Sequence, residues 1–135
     1  MNWAALIAQL AAGDRESVIF VGATEEYPLA ERLAMQWQRP NLNLCGRLTP
    51  RETAAVLGRC ALLICHDSGP MHLAASQKTP CVALFGNFNA PRRWFPYGNG
   101  HEVIYEATGV RNISVARVVQ AVERVLHARK AELAA

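Results

Sequence analysis

Short apolar runs recur about every twenty residues along this chain, and each is separated from the next by a stretch with helical spacing. The runs are Ser17-Val18-Ile19-Phe20-Val21-Gly22, Ala61–Cys65 and Pro80–Phe85, with Asn41–Cys45 and Glu102–Tyr105 as two further short strands. Runs so short and so apolar suit strands covered on both faces, the usual condition of a parallel sheet. Trp3, Leu6, Ile7 and Leu10 mark a first helix, closed by Gly13-Asp14. Leu29, Leu33 and Trp37 mark one face of a second, from about Pro28 to Trp37. Thr49-Pro50-Arg51-Glu52 is a capped helix start, with Gly58 near its end. A short helix leads to about Gln77, and Val115, Val118, Val119, Val122 and Leu126 stripe a C-terminal helix with a polar tail expected to fray. Strand and helix in alternation predict an α/β fold with a doubly wound parallel sheet, in one domain covering residues 1–135. The order opens on a helix where a nucleotide-binding half opens on a strand, so a first strand is expected to be missing.

Composition narrows the function classes. With 135 residues, 51% hydrophobic and 19% charged, the chain can bury a real core. Its apolar stretches are too short to span a bilayer, and nothing after Met1 resembles a secretory signal, so a cytoplasmic location is expected. The net charge of +3 is spread along the chain and gives no support to nucleic-acid binding. Arg92-Arg93-Trp94-Phe95 reads as a surface loop anchored by one buried aromatic; contact with an anionic ligand or membrane surface is the alternative. It belongs to a long loop, Gly86 to Gly100, and loops of that length in compact domains are commonly functional or mobile. Cys45, Cys60, Cys65 and Cys81 form no CxxC pair and no metal spacing, so reduced thiols are expected and no metal.

The chemistry gathers at His66-Asp67-Ser68-Gly69-Pro70-Met71-His72, directly after the run Ala61–Cys65. If Cys65 ends the strand and Gly69-Pro70 begins a helix, amides near Ser68 to Met71, the proline aside, open at the mouth of the sheet. Such a corner binds a diphosphate or carboxylate. Ser68 can cap the helix or meet a phosphate oxygen, and His72 stands four residues on, on the same helical face. Asp67 suits sugar hydroxyls better than phosphate. The plain alternative is a turn with a core histidine. A serine hydrolase is disfavoured because Asp67 and Ser68 are adjacent and no nucleophile elbow surrounds the serine. There is no Walker loop and no GxGxxG. Two further segments reach the same edge. Gly22-Ala23-Thr24-Glu25-Glu26 offers a carboxylate for ribose hydroxyls, or merely an acidic helix start; Gly46-Arg47-Leu48-Thr49 offers Leu48 for a base and Arg47 for phosphate, or merely a turn.

The run Asp67–Ala75, with Thr79–Gly86, resembles the heptosyltransferase family, glycosyltransferase family 9. The likeness extends to Gly46–Glu52 and to Trp94-Phe95-Pro96-Tyr97-Gly98, and so covers nearly the whole chain. It implies a Rossmann-like domain, the C-terminal, donor-binding half of a GT-B enzyme, without the N-terminal acceptor domain. On that resemblance Asp67 would hold the heptose hydroxyls, Ser68 and Gly69 the diphosphate with His72 beside them, Leu48 the adenine, and Glu26 (or Glu25) the ribose near Gly22. Where the family has proline, a hydroxyl residue and an acid after Phe85-Gly86, this chain has Asn87-Phe88-Asn89.

The expected function is therefore sugar-nucleotide binding, with ADP-heptose as donor, for an inverting glycosyltransferase of lipopolysaccharide core synthesis. No catalytic base falls in this chain and no cofactor is implied. The lipopolysaccharide acceptor would be met only through the absent domain, the fragment alone would be nearly inactive, and self-association is open to it. A degenerate stand-alone binding domain and a UDP-sugar epimerase-like protein are the alternatives.

Overall fold

The computed structural model describes residues 1–13, 17–88 and 93–135. Among the described residues the α-helices and strands run in the order α1 (Trp3–Ala12), β1 (Val18–Phe20), α2 (Tyr27–Ala34), β2 (Asn41–Asn43), α3 (Pro50–Leu57), β3 (Leu63–His66), α4 (Gly69–Ser76), β4 (Cys81–Phe85), β5 (Glu102–Tyr105) and α5 (Val115–Ala134). Every strand pairing is parallel, in the α/β, Rossmann-like arrangement expected. The ladder is interrupted once. β1 pairs with β2, and β3, β4 and β5 form a separate group in that order.

Both faces are covered. Leu6, Ile7 and Leu10 of α1 and Val118, Ala121, Val122 and Val125 of α5 pack on Val82, Leu84 and Ile104. On the other face Leu57, Met71 and Ala74 from α3 and α4 pack on Cys65, Cys81, Ala83 and Phe85. β4 is buried along its whole length, which is why its five residues show no alternation in sequence.

Helix ends follow local chemistry. Asn2 caps α1, accepting from the Ala5 N–H at 3.1 Å. Thr49 and Glu52 close the capping box: the Glu52 Oε2 accepts from the Thr49 N–H at 2.7 Å and the Thr49 Oγ1 from the Glu52 N–H at 3.3 Å. Ser114 caps α5.

Several expected boundaries move. The strand after α3 starts at Leu63 and includes His66, because the Arg59 and Cys60 amides still turn back to Val56 and Leu57. α2 ends at Ala34 and buries Ala30, Leu33 and Ala34, with Trp37 buried just beyond; Leu29, expected on that face, is exposed. β1 and β2 are shorter than their apolar runs, and Asp14 lies outside the described residues. α5 is helical to Ala134, so its polar tail is no break in the helix. Cys45, Cys65 and Cys81 are buried free thiols and Cys60 is half-buried. Among the described residues no helix is long and apolar enough to cross a membrane.

Candidate functional site

Three loops meet at the C-terminal ends of β1, β2 and β3. The third is the turn from β3 into α4. Ser68 sits at the N-cap in extended conformation, but its hydroxyl donates back to the His66 carbonyl at 3.2 Å and makes no cap bond. The Met71 N–H is bound to the Ser68 carbonyl at 3.1 Å, and Pro70 has no N–H. The open amide array expected over Ser68–Met71 is therefore narrower, and Gly69 is its exposed member. A β-carbon at Gly69 would meet nothing within 4 Å. No packing within the protein calls for glycine there.

Asp67 and His66 line a cavity of about 220 Å³ with Leu84, Phe85, Gly86, Phe88 and Val110. That is below the roughly 300–1,000 Å³ of whole ligand pockets, room for one moiety rather than for a whole nucleotide sugar. Gly86 shapes it, since a β-carbon there would lie 2.8 Å from the Val110 nitrogen. His72 is exposed on α4 and does not line this cavity, so it is no core histidine. The half-buried imidazole is His66 instead, 5.3 Å from the Trp3 ring centroid, with its Nε2 buried and unpartnered. Burial lowers its pKa, the Met1 ammonium adds to this, and Glu26 opposes both. The apolar run ends at Cys65, one residue before the strand does, so nothing in the sequence marks His66 as a site residue.

The first and second loops are locked together. Gly46 has φ +71, and a β-carbon there would fall 2.7 Å from the Thr24 Cα, so only glycine lets the turn after β2 close on the loop after β1. The Gly46 N–H donates to the Gly22 carbonyl at 2.8 Å. Glu26 folds back so that its Oε2 accepts from the Ala23 N–H at 2.7 Å, and a β-carbon at Gly22 would collide with that carboxylate. Glu26, which holds the Ala23 N–H, is thus the carboxylate fixed at this edge, and it also acts on Cys45, whose thiol burial pushes up. Leu48, in the turn after β2, is half-buried. The Arg47 guanidinium lies 5.2 Å from the Tyr27 ring centroid and donates to the Tyr27 hydroxyl at 3.3 Å.

The Trp94–Phe95 segment is the anchored surface loop. Phe95 packs edge-on against Phe85 at 4.8 Å between centroids, while Trp94 is half exposed; Arg92 and Asn89 lie outside the described residues. Among the described residues no group of three or more histidines, cysteines or carboxylates is placed to hold a metal ion.

The chain has known counterparts. Residues 1–119 match the model of glycosyltransferase family 9 (heptosyltransferase). The chain belongs to that family. It is 29% identical over 100 residues to the lipopolysaccharide core heptosyltransferase OpsX of Haemophilus influenzae, a match covering 73% of this chain and 28% of that protein. The crystal structure of the glycosyl transferase family 9 protein from Veillonella parvula superimposes with a TM-score of 0.79 at 27% identity, over 92% of this chain and 40% of that one. The Escherichia coli ADP-heptose lps heptosyltransferase II shares the fold with a TM-score of 0.78 at 24% identity, over 95% of this chain and 41% of that one. This glycosyltransferase family 9 chain thus spans about a quarter of its curated relatives and two fifths of the solved structures.

Proposed function

We propose that these 135 residues form the donor-binding domain of an inverting heptosyltransferase of lipopolysaccharide core synthesis, with ADP-heptose as the donor. The observation that carries this reading is Gly69: an exposed glycine at a helix start, with open space where a side chain would stand and no conformational need for glycine. Backbone left bare at a helix N-terminus suits close approach of a diphosphate. Family membership supports heptose as the sugar.

In this reading Asp67 accepts from heptose hydroxyls in the adjoining cavity, and Ser68 and Gly69 meet the diphosphate with His72 nearby. Glu26, held against Gly22, accepts from the ribose, and Leu48 packs on the adenine. An acceptor hydroxyl attacks the anomeric carbon, its proton passing to a base outside this chain. The bond from that carbon to the diphosphate oxygen breaks, and ADP leaves with the electron pair. The chain's own contribution is binding and stabilisation of the departing diphosphate by fixed dipoles. It works in the cytoplasm, and alone it has little or no transferase activity.

Calorimetric titration with ADP-heptose, ADP and a UDP-sugar tests the donor. The reading expects ADP-heptose to bind most tightly and the UDP-sugar least. A well-folded chain that binds none of them is the degenerate remnant instead, and a UDP preference gives the site to epimerase-like chemistry.

A further inference from the structure

The loop that leaves β4 carries Phe88, at 99% exposure the barest large apolar side chain among the described residues. Single apolar residues on a surface are ordinary and need no explanation. Phe88 differs in where it stands. β3 and β4 are parallel with His66 beside Leu84, so the loops that follow them leave the sheet side by side. Asp67 from one loop and Phe88 from the other line the same cavity. Every other lining residue described, Asp67 and Val110 included, is buried or half-buried. Phe88 is thus the one wall residue whose side chain the protein itself leaves uncovered. Apart from Asp67 and His66, the wall is apolar side chain and glycine.

We propose that Phe88 is a specificity residue, whose ring is the stacking face for the pyranose of the donor sugar. The inference rests on the donor reading above and deepens it. With ribose and adenine on the loops after β1 and β2 and the diphosphate at Gly69, the sugar is the moiety left for the cavity at β3 and β4. A sugar ring is amphipathic. Hydroxyls radiate from its rim, while its faces carry C–H bonds polarised by the neighbouring oxygens. A carboxylate suits the rim, and the negative face of an aromatic ring suits the C–H face. Asp67 and Phe88 bring these two surfaces to one cavity. Covering Phe88 also removes from water apolar surface that the free protein leaves wet. A diphosphate gains nothing from the same ring, because its negative face repels an anion. Phe88 therefore separates a nucleotide sugar from the bare nucleotide.

Calorimetric titration of the 135-residue chain and its Phe88→Ala, Phe88→Leu and Phe88→Tyr variants, each with ADP-heptose and with ADP, tests this. All three variants should melt with the parent, since Phe88 packs on almost nothing. Phe88→Ala should weaken ADP-heptose about fivefold or more and leave ADP unchanged. Phe88→Tyr keeps the ring and should bind like the parent; Phe88→Leu keeps only apolar surface and should fall below it. An equal loss for both ligands puts Phe88 on the nucleotide, and no loss for either leaves it an idle surface residue. Either result overturns the proposal while the donor reading stands. Leucine binding as well as phenylalanine replaces stacking with plain apolar contact and overturns it too. A parent chain that binds neither ligand sinks the donor reading itself, and this inference with it.

Discussion

Three glycines at one sheet edge do different work. Gly46 is held by conformation and by the Thr24 backbone, so Gly46→Ala should cost about 1–3 kcal/mol, read from the urea midpoint. Gly22 is opposed only by the end of a flexible side chain. Gly22→Ala should leave stability nearly intact while swinging Glu26 away from Ala23, weakening ribose recognition. Gly69 is opposed by nothing, and Gly69→Ala should leave the melting temperature unchanged while reducing ADP affinity about tenfold or more, ~1.4 kcal/mol. A parallel loss of stability in that variant would return Gly69 to a structural role. His66 sets a pH dependence. Its folded pKa lies below the usual value of about 6.5, so its contribution to stability is complete above that pH. As the pH falls from there through the folded pKa, the unfolded chain takes the proton first and stability is lost. His66→Gln should flatten the slope of melting temperature against pH between about 7 and 5; an unchanged slope would put the proton elsewhere.

Elements were legible where their signals are local. The Thr49–Glu52 box, Pro50 in the first turn and Gly58 beyond the last all stand where the residues place them, and Thr49→Ala should lower stability by about 1 kcal/mol. α4 ends in a less obvious way. Lys78 holds φ +59 while the Thr79 N–H reaches the Ala74 carbonyl at 2.9 Å, a closure that favours glycine. Lys78→Gly should therefore raise the urea midpoint, by about 0.5–1 kcal/mol in stability. The misses share a physical cause. Ala61 and Leu62 are as apolar as β3 itself, and only the backbone turn at Arg59 and Cys60 delays pairing to Leu63. Leu29 has the spacing of a core residue, yet α2 turns Ala30 and Leu33 inward, since packing rather than periodicity sets a helix's rotation. The contact of Arg47 with Tyr27, twenty residues away, is non-local and carries no signal in the sequence.

At the scale of the whole molecule, the candidate site exists because elements far apart in sequence converge. The Glu26 carboxylate is set by the loop after β1, Leu48 by the turn after β2, and Asp67 to Gly69 by β3, which belongs to the other strand group. The motif at β3 was readable from sequence and so was its partner loop. One feature was not: the cavity beside Asp67, because Val110 closes it from forty residues away. If the family's donor chemistry is seated on this corner, a single nucleotide must touch both strand groups at once. Amide chemical-shift mapping of the 135-residue chain with ADP tests this most directly. The account predicts saturable shifts at Ser68 and Gly69 together with Glu26 and Leu48, on one binding curve. Shifts confined to other surfaces, or none at saturating ADP, would contradict it.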